Sequence, residues 1–254
     1  MDKSEKQIRG KTALITGASK RIGRAIALAL ASKGVDIIVH YNSSGNEAAE
    51  LAKEIKKLGV KSWIVRADFR SPDEYETLMA RSIELTGSLD FLVNSASTFA
   101  PSKFEDLDFA DLTSAIEINA WAPFVLGRSF ADKVDKGKIV NLLDTRITGY
   151  DWNHVGYILS KELLHAFTKM MALKFAPNIA VNAVAPGLIL PPPGEDMAYL
   201  EKMSGNLPLK RHGDPQDIAE AVLFLLESDF ITGQVIYVDG GRHIRESSHG
   251  PYSY

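Results

Sequence analysis

The chain has 254 residues, 45% hydrophobic and 24% charged, with 29 basic against 32 acidic side chains and a formal charge of -3. At about 150 residues per domain this is somewhat under two domains, yet α/β folds reach about 250 residues as one unit; the composition excludes disorder for the bulk of the chain. The near-neutral balance gives no electrostatic case for nucleic acid or an anionic membrane, and the absence of cysteine removes disulfides, thiolate catalysis, zinc ribbons and iron–sulfur clusters together.

Residues 1–11 mix charges without an apolar centre and do not read as a signal peptide. From there, short apolar runs alternate with helical patterns. Residues 12–16 predict a first strand and 22–33 a helix, then 36–41 and 47–58, 61–67 and 72–86, 89–94 and 110–130, and 138–143 and 155–175 repeat the pair. Strands at 180–185 and 234–238 flank a helix at 215–227. Most of the strands are too continuously apolar to have a wet face, as parallel strands covered on both sides require. No linker or repeat divides the series, so residues 1–254 are expected to form one doubly wound domain on a seven-stranded parallel sheet.

Two segments fall outside the pattern. Residues 188–212 form an insertion, with a short helix expected at 197–203, of the kind that covers a site. The polar tail after Gly241, with Ser247, Ser248, His249 and Gly250, is expected to fray or dock on a partner. The uncharged run 178–194 holds Asn182 and Pro186, Pro191, Pro192 and Pro193, which a membrane span would not tolerate. A cytoplasmic protein is expected.

Thr16-Gly17-Ala18-Ser19-Lys20-Arg21-Ile22-Gly23 joins the first strand to the first helix. Gly17 permits a tight turn, Gly23 close packing of helix on sheet, and the helix start offers N–H groups to a pyrophosphate. An NAD site usually has an acid at the end of strand two to bond the ribose diol. Here that stretch is His40-Tyr41-Asn42-Ser43-Ser44, with no acid, while Lys20 and Arg21 stand in the loop. Cations and hydroxyls suit a 2′-phosphate, so NADP(H) is the expected cofactor. The alternative for Lys20 and Arg21 is a solvated pair. Asp68 is placed to accept from the adenine amino group or to cap its turn.

Tyr157 and Lys161 are four apart on a predicted helix and share a face. An ammonium beside a phenol is expected to lower the phenol's pKa and make Tyr157 a proton donor. The histidines show no paired metal spacing. His154 reads as a surface residue, and Trp152, Tyr199 and Met203 as candidates for the far side of a pocket.

With the Thr16–Gly23 loop, Asp68, Asn94-Ser95-Ala96, Asn119, Tyr157/Lys161, Pro186-Gly187 and Val238-Asp239-Gly240-Gly241, the chain resembles the short-chain dehydrogenase/reductase family over its whole length. The resemblance implies a Rossmann-type domain. It also implies a relay water at Asn119, a ribose contact by Lys161, cofactor contacts by Asn94, Ala96, Pro186 and Gly187, and a homo-oligomer, dimer or tetramer, packed through the two longest helices and the last strand. The departures point further. The usual middle glycine is Arg21, the usual Asn-Asn-Ala-Gly is Asn94-Ser95-Ala96-Ser97, and the serine expected thirteen residues before Tyr157 is Asp144. With His40-Tyr41 and Thr98-Phe99, these resemble the pteridine reductase branch, including dihydromonapterin reductases. There Asp144 would be a catalytic partner, Phe99 would stack on a pterin, and Arg21 would help hold phosphate and substrate. An arginine common after the His-Tyr pair in that branch is missing here.

The serine-to-aspartate change has a physical reason. Ketone reduction builds negative charge on oxygen, which a carboxylate would repel, whereas a ring C=N bond needs a proton on nitrogen. The expected activity is NADPH-dependent reduction of a pterin or dihydropterin, with Ser97, Phe99, Asp144 and Tyr157 at the substrate. The rivals are a ketone reductase on the same scaffold and an NADPH sensor without turnover. Asp144 could also merely pair with Arg146 or cap a loop, with Thr145 partly replacing the serine.

Overall fold

The computed structural model describes residues 8–192 and 194–248; residues 1–7, His249 and Gly250 of the segments discussed above, and Pro193, lie outside the described residues. Seven parallel strands form one sheet in the order β3-β2-β1-β4-β5-β6-β7. They are β1 (Thr12–Thr16), β2 (Asp36–Tyr41), β3 (Ser62–Arg66), β4 (Phe91–Asn94), β5 (Gly137–Leu142), β6 (Ile179–Pro186) and β7 (Val235–Val238). All residues of β1 are buried, as a strand with helices on both faces requires. The edge strands β3 and β7 are only partly covered.

Side chains alternate between two cores. Ala13, Ile15, Ile37 and Val39 face one layer with α1 (Arg21–Ser32), α2 (Gly45–Lys57) and α8 (Pro215–Glu227). Leu14, Ile38, Leu92 and Ile139 face the other, with α3 (Pro72–Thr86), α5 (Ala122–Lys133) and α6 (Val155–Phe175). The period-2 pleat of a buried strand therefore feeds both layers. Strand order reverses between β1 and β4, where α/β sheets open a crevice at the carboxyl ends.

Two predicted elements differ. The single helix expected over 110–130 is α4 (Phe109–Ile116), a wide π turn (Glu117–Trp121) and α5. Pro123 has no N–H to give the Asn119 carbonyl, so regular α bonding cannot run through this point. The tail is not frayed where it is described: Arg242–Ser248 forms α9. Gly241 and His243 N–H groups donate to the Asp239 carboxylate just ahead of it, at 2.9 and 2.8 Å. The expected short helix is α7 (Met197–Ser204), capped by Asp196 on the Ala198 N–H.

Candidate active site

A cavity of 1660 Å³ opens at the switch point. The glycine loop, residues 95–100 after β4, the segment after β5, Tyr157 and Lys161 line it, as do Pro186, Gly187 and the insertion. Trp152, Tyr199 and Met203 are on its wall, as are Arg242 and Arg245 of α9.

Backbone shapes the phosphate end. Gly17 has φ +64, and a Cβ there would lie 2.8 Å from Ala96 Cα, so only glycine lets the loop approach the turn after β4. A Cβ on Gly23 would run into the Gly17 carbonyl. The Thr16 hydroxyl accepts the Ser95 and Ala96 N–H groups, both at 3.0 Å, tying the ends of β1 and β4. His40 fastens the loop from the other side. Gly17 N–H donates to its Nδ1 at 3.1 Å, and its Nε2 lies 3.1 Å from the Ala67 carbonyl, so Nε2 carries the proton. Burial pulls His40 down to about 4, which keeps it neutral in that tautomer.

Lys20 supplies no side-chain cap to α1, whose first intrahelical bond runs from Arg24 N–H to the Lys20 carbonyl. The N–H groups of Arg21, Ile22 and Gly23 precede that bond and these residues line the cavity, a chemistry that fits a pyrophosphate. Arg21 takes the position of the missing glycine with φ 54, which costs an L-residue about 1–2 kcal/mol. Its guanidinium donates to the Pro191 carbonyl at 2.8 Å and links loop to insertion.

The other expected cofactor contacts fall in two groups. Lys20, Ala96, Pro186 and Gly187 line the cavity, but Lys20 is paired with Glu47 at 2.6 Å, a partner the sequence reasoning missed. Ser19, Tyr41, Asn42, Ser43, Ser44, Asp68 and Asn94 are not on its wall. The Asp68 carboxylate is held by Arg70 Nη2 at 2.6 Å and lies at about 2, so an adenine amino group would have to share it with that guanidinium. Asn94 is buried and donates to Asn141 at 2.8 Å, which donates to Thr168 at 2.9 Å, while the Asn94 Oδ1 has no hydrogen-bond partner among the described residues.

Side chains shape the catalytic end. Tyr157, 8% exposed, donates its hydroxyl proton to Asp144 Oδ2 at 3.0 Å. Asp144 also accepts from Arg146 and caps the short turn Thr145–Thr148, so it pairs and caps as well as meeting the tyrosine. Thr145 does not replace the serine, because its hydroxyl is spent on Asp239. Lys161 is buried and donates to the Leu142 carbonyl at 2.8 Å, with Nζ 5.6 Å from the Tyr157 ring centre. Burial lowers Lys161 to about 8. Tyr157 is not lowered as expected: burial first and the Asp144 carboxylate second raise it well above 10, against a smaller opposing effect of Arg146. A distant ammonium cannot outweigh desolvation and an adjacent carboxylate.

Asn119 is fully buried and fully bonded. Its Oδ1 accepts from Ser97 Oγ at 3.0 Å and Thr98 N–H at 2.8 Å, and its Nδ2 donates to the Thr98 carbonyl and Ser160 Oγ, both at 3.0 Å. An amide has two acceptor and two donor positions, all filled here by protein. The amide of Asn119 therefore fastens the Ser97–Thr98 segment to α6, and its side chain has no position left for the expected relay water.

Phe99 stacks on His154 with ring centres 4.0 Å apart and meets the Tyr157 ring edge-on at 4.8 Å. His154 is thus a wall residue and not a surface one. Arg146, His154 and Asp151 carry no motif; only their closeness to Asp144 and Tyr157 in sequence could have drawn attention to them.

A phosphate cradle at the sheet's switch point, beside a buried tyrosine–lysine pair, defines a dinucleotide-dependent oxidoreductase. Residues 17–243 match the family described as enoyl-(acyl carrier protein) reductase, and the chain belongs to this family of NAD(P)-dependent short-chain dehydrogenases/reductases. It is 34% identical over 252 residues to the 3-oxoacyl-[acyl-carrier-protein] reductase FabG of Aquifex aeolicus, covering 93% of this chain and 99% of that protein. It is 33% identical over 241 residues to the 7alpha-hydroxysteroid dehydrogenase of Escherichia coli K12, covering 91% and 94%. Among solved structures, FolM alternative dihydrofolate reductase 1 from Brucella canis, complexed with NADP, superposes with a TM-score of 0.89 at 31% identity, covering 94% of this chain and 96% of that one.

Proposed function

We propose that the protein is an NADPH-dependent reductase of a pterin or dihydropterin ring C=N bond. The observation that carries this reading is the Asp144 carboxylate on the Tyr157 hydroxyl at 3.0 Å. A carboxylate there opposes a developing oxyanion but is compatible with proton delivery to nitrogen. The NADP-complexed alternative dihydrofolate reductase among the structural neighbours supports both cofactor and substrate class.

When bound, the cofactor supplies a hydride to the ring carbon. Tyr157, kept protonated by its burial, gives its proton to the ring nitrogen, so the C=N bond gains one hydride and one proton. Asp144, on the cavity wall, accepts the Tyr157 hydroxyl and orients it; once Tyr157 has given that proton away, the position freed on Oδ2 takes a solvent proton and hands it to the Tyr157 oxygen. The saturated Asn119 amide takes no part in this relay; a relay water at Asn119 would rest on its backbone carbonyl, to which Pro123 has no N–H to give. Lys161, as an ammonium, stabilises the charge that appears on the Tyr157 oxygen and bonds the nicotinamide ribose. Phe99, backed by His154, and Ser97 flank the planar substrate. Gly17, Arg21, Ile22 and Gly23 hold the pyrophosphate; Lys20, Tyr41, Asn42, Ser43 and Ser44 read the 2′-phosphate, Asp68 the adenine, and Ala96, Pro186 and Gly187 the nicotinamide half.

Residues 1–254 act as one domain with a substrate loop at 188–212. Trp121, at the end of the π turn, and Met170 and Leu173 of α6 are 42%, 61% and 84% exposed, a face that a second copy would cover in a homodimer or homotetramer. No helix among the described residues is long and apolar enough to cross a membrane, and a cytoplasmic protein acting on small molecules is the working assignment.

The second reading is a 3-oxoacyl thioester or other ketone reductase, favoured by the full-length likeness to FabG. NADPH absorbance followed in parallel with dihydrobiopterin, dihydromonapterin, dihydrofolate and acetoacetyl thioester separates the two. Turnover of the dihydropterins is expected. Turnover of the thioester alone overturns the pterin assignment, and tight NADPH binding without any turnover favours a sensor.

A further inference from the structure

Arg146 has no part in the steps above, yet it connects most of the groups that do. Its side chain lines the cavity and is only 19% exposed. Nε donates to Asp144 Oδ1 and Nη2 to Asp144 Oδ2, both at 3.1 Å, and the Arg146 N–H adds a third bond to Oδ1 at 2.9 Å. Nη1 donates to Asp151 Oδ2, and the same oxygen lies 3.0 Å from His154 Nδ1. The guanidinium carbon sits 5.0 Å from the Phe99 ring centre and 5.6 Å from that of Tyr157.

A carboxylate oxygen offers about two acceptor positions. Oδ1 of Asp144 fills both with Arg146 N–H and Nε. Oδ2 fills one with Nη2, which leaves one for the Tyr157 hydroxyl. The rigid fork of a guanidinium fixes the plane of the carboxylate as well as its charge. Without the fork, the Arg146 N–H still holds Oδ1, but the carboxylate can turn about that single bond and carry Oδ2 away from the tyrosine.

We propose that Arg146 is a positioning residue for proton transfer: it clamps Asp144 with one oxygen on the Tyr157 hydroxyl and ties that pair through Asp151 to the His154–Phe99 stack. It acts through Asp144 and touches no reacting atom. The inference rests on the reading above only in that Asp144 takes part in turnover. Burial pulls the Arg146 guanidinium down but the Asp144 charge and hydrogen bond outweigh it and raise its pKa, so the clamp stays charged. For Asp151, burial pushes up, and the Asn153 N–H bond with the Arg146 and His154 charges holds it below the usual range.

The test compares Arg146→Lys, Arg146→Gln and Arg146→Ala with wild type and Asp144→Asn. Folding is checked by circular dichroism and NADPH affinity by fluorescence titration. On whichever acceptor the wild type reduces, kcat is expected to fall about 10–100-fold in all three, Lys included, because a point charge cannot make two parallel bonds. KM and NADPH affinity stay within about threefold, since no substrate contact is removed. Methylguanidinium restores part of the lost kcat of Arg146→Ala and none of that of Asp144→Asn. A readout independent of turnover is the ring carbon bearing the Tyr157 hydroxyl, followed by nuclear magnetic resonance and assigned with Tyr157→Phe. Its resonance is expected to move in Arg146→Gln as it does in Asp144→Asn. Should Arg146→Ala fail to fold, Arg146→Gln and Arg146→Lys decide. Wild-type kcat in Arg146→Lys or Arg146→Gln, or an unmoved Tyr157 resonance, overturns the proposal. A wild type that reduces no acceptor overturns the functional reading instead, and the resonance still decides the role of Arg146.

Discussion

The two ends of the cavity are built by different means. At the phosphate end, backbone holds backbone: two glycines, a threonine hydroxyl on two N–H groups and a neutral histidine on the Gly17 N–H set the loop. At the catalytic end, charged side chains hold one another, from Tyr157 through Asp144 and Arg146 to Asp151 and His154. The first kind of construction fails on added volume, and on charge only where His40 is protonated. The second tolerates little change of charge, because each buried group is satisfied only by its neighbours.

The largest expected effect is at the catalytic end. Tyr157→Phe should lower kcat about 10²–10⁴-fold with NADPH affinity unchanged; steady-state rates and a binding titration check it. Added volume should break the other end. Gly17→Val places a β-branched residue at φ +64, with Ala96 Cα in its way, and should cost about 1–3 kcal/mol together with most of the NADPH affinity. Denaturant unfolding with and without NADPH measures both.

The pH dependence separates the ends as well. His40 is held at about 4 against 6.5 unfolded, so the folded state binds fewer protons in that window. Its contribution is complete above pH 6.5 and is lost as pH falls towards 4, about 3 kcal/mol in all. Urea midpoints from pH 7 to 4 should show this slope, flattened in His40→Gln. Lys161, lowered to about 8, is an ammonium below that pH. Turnover should therefore decline as pH rises through about 8, and Lys161→Arg, which stays charged, should remove that decline from the pH–rate profile. The smallest effect separates two roles of Lys20. If it reads a 2′-phosphate, Lys20→Ala lowers the NADPH-over-NADH preference about tenfold. An unchanged preference would leave it only as the partner of Glu47.

This division also explains what the sequence made legible. The seven strands and the glycine loop follow from short continuous apolar runs and from positions only glycine can fill, both of them local properties. Tyr157 and Lys161 followed from helical spacing, and Asp144 from its place where the family resemblance puts a serine. The π turn was missed because Pro123 sits within an otherwise continuous helical pattern. The saturation of Asn119 needs Ser97, Thr98 and Ser160 from three separate segments. The expected lowering of Tyr157 by Lys161 failed because helical spacing sets a shared face, whereas burial and a nearer carboxylate set the proton affinity. Glu47 and His154 gained their roles from long-range packing that carries no motif.

The most direct measurement of the central claim is Asp144→Ser assayed with NADPH on a dihydropterin and on acetoacetyl thioester. Dihydropterin turnover is expected to fall about 10²–10⁴-fold, and thioester turnover to hold or rise, because a hydroxyl accommodates the oxyanion that a carboxylate repels. Wild-type dihydropterin turnover in Asp144→Ser would contradict the role assigned to Asp144.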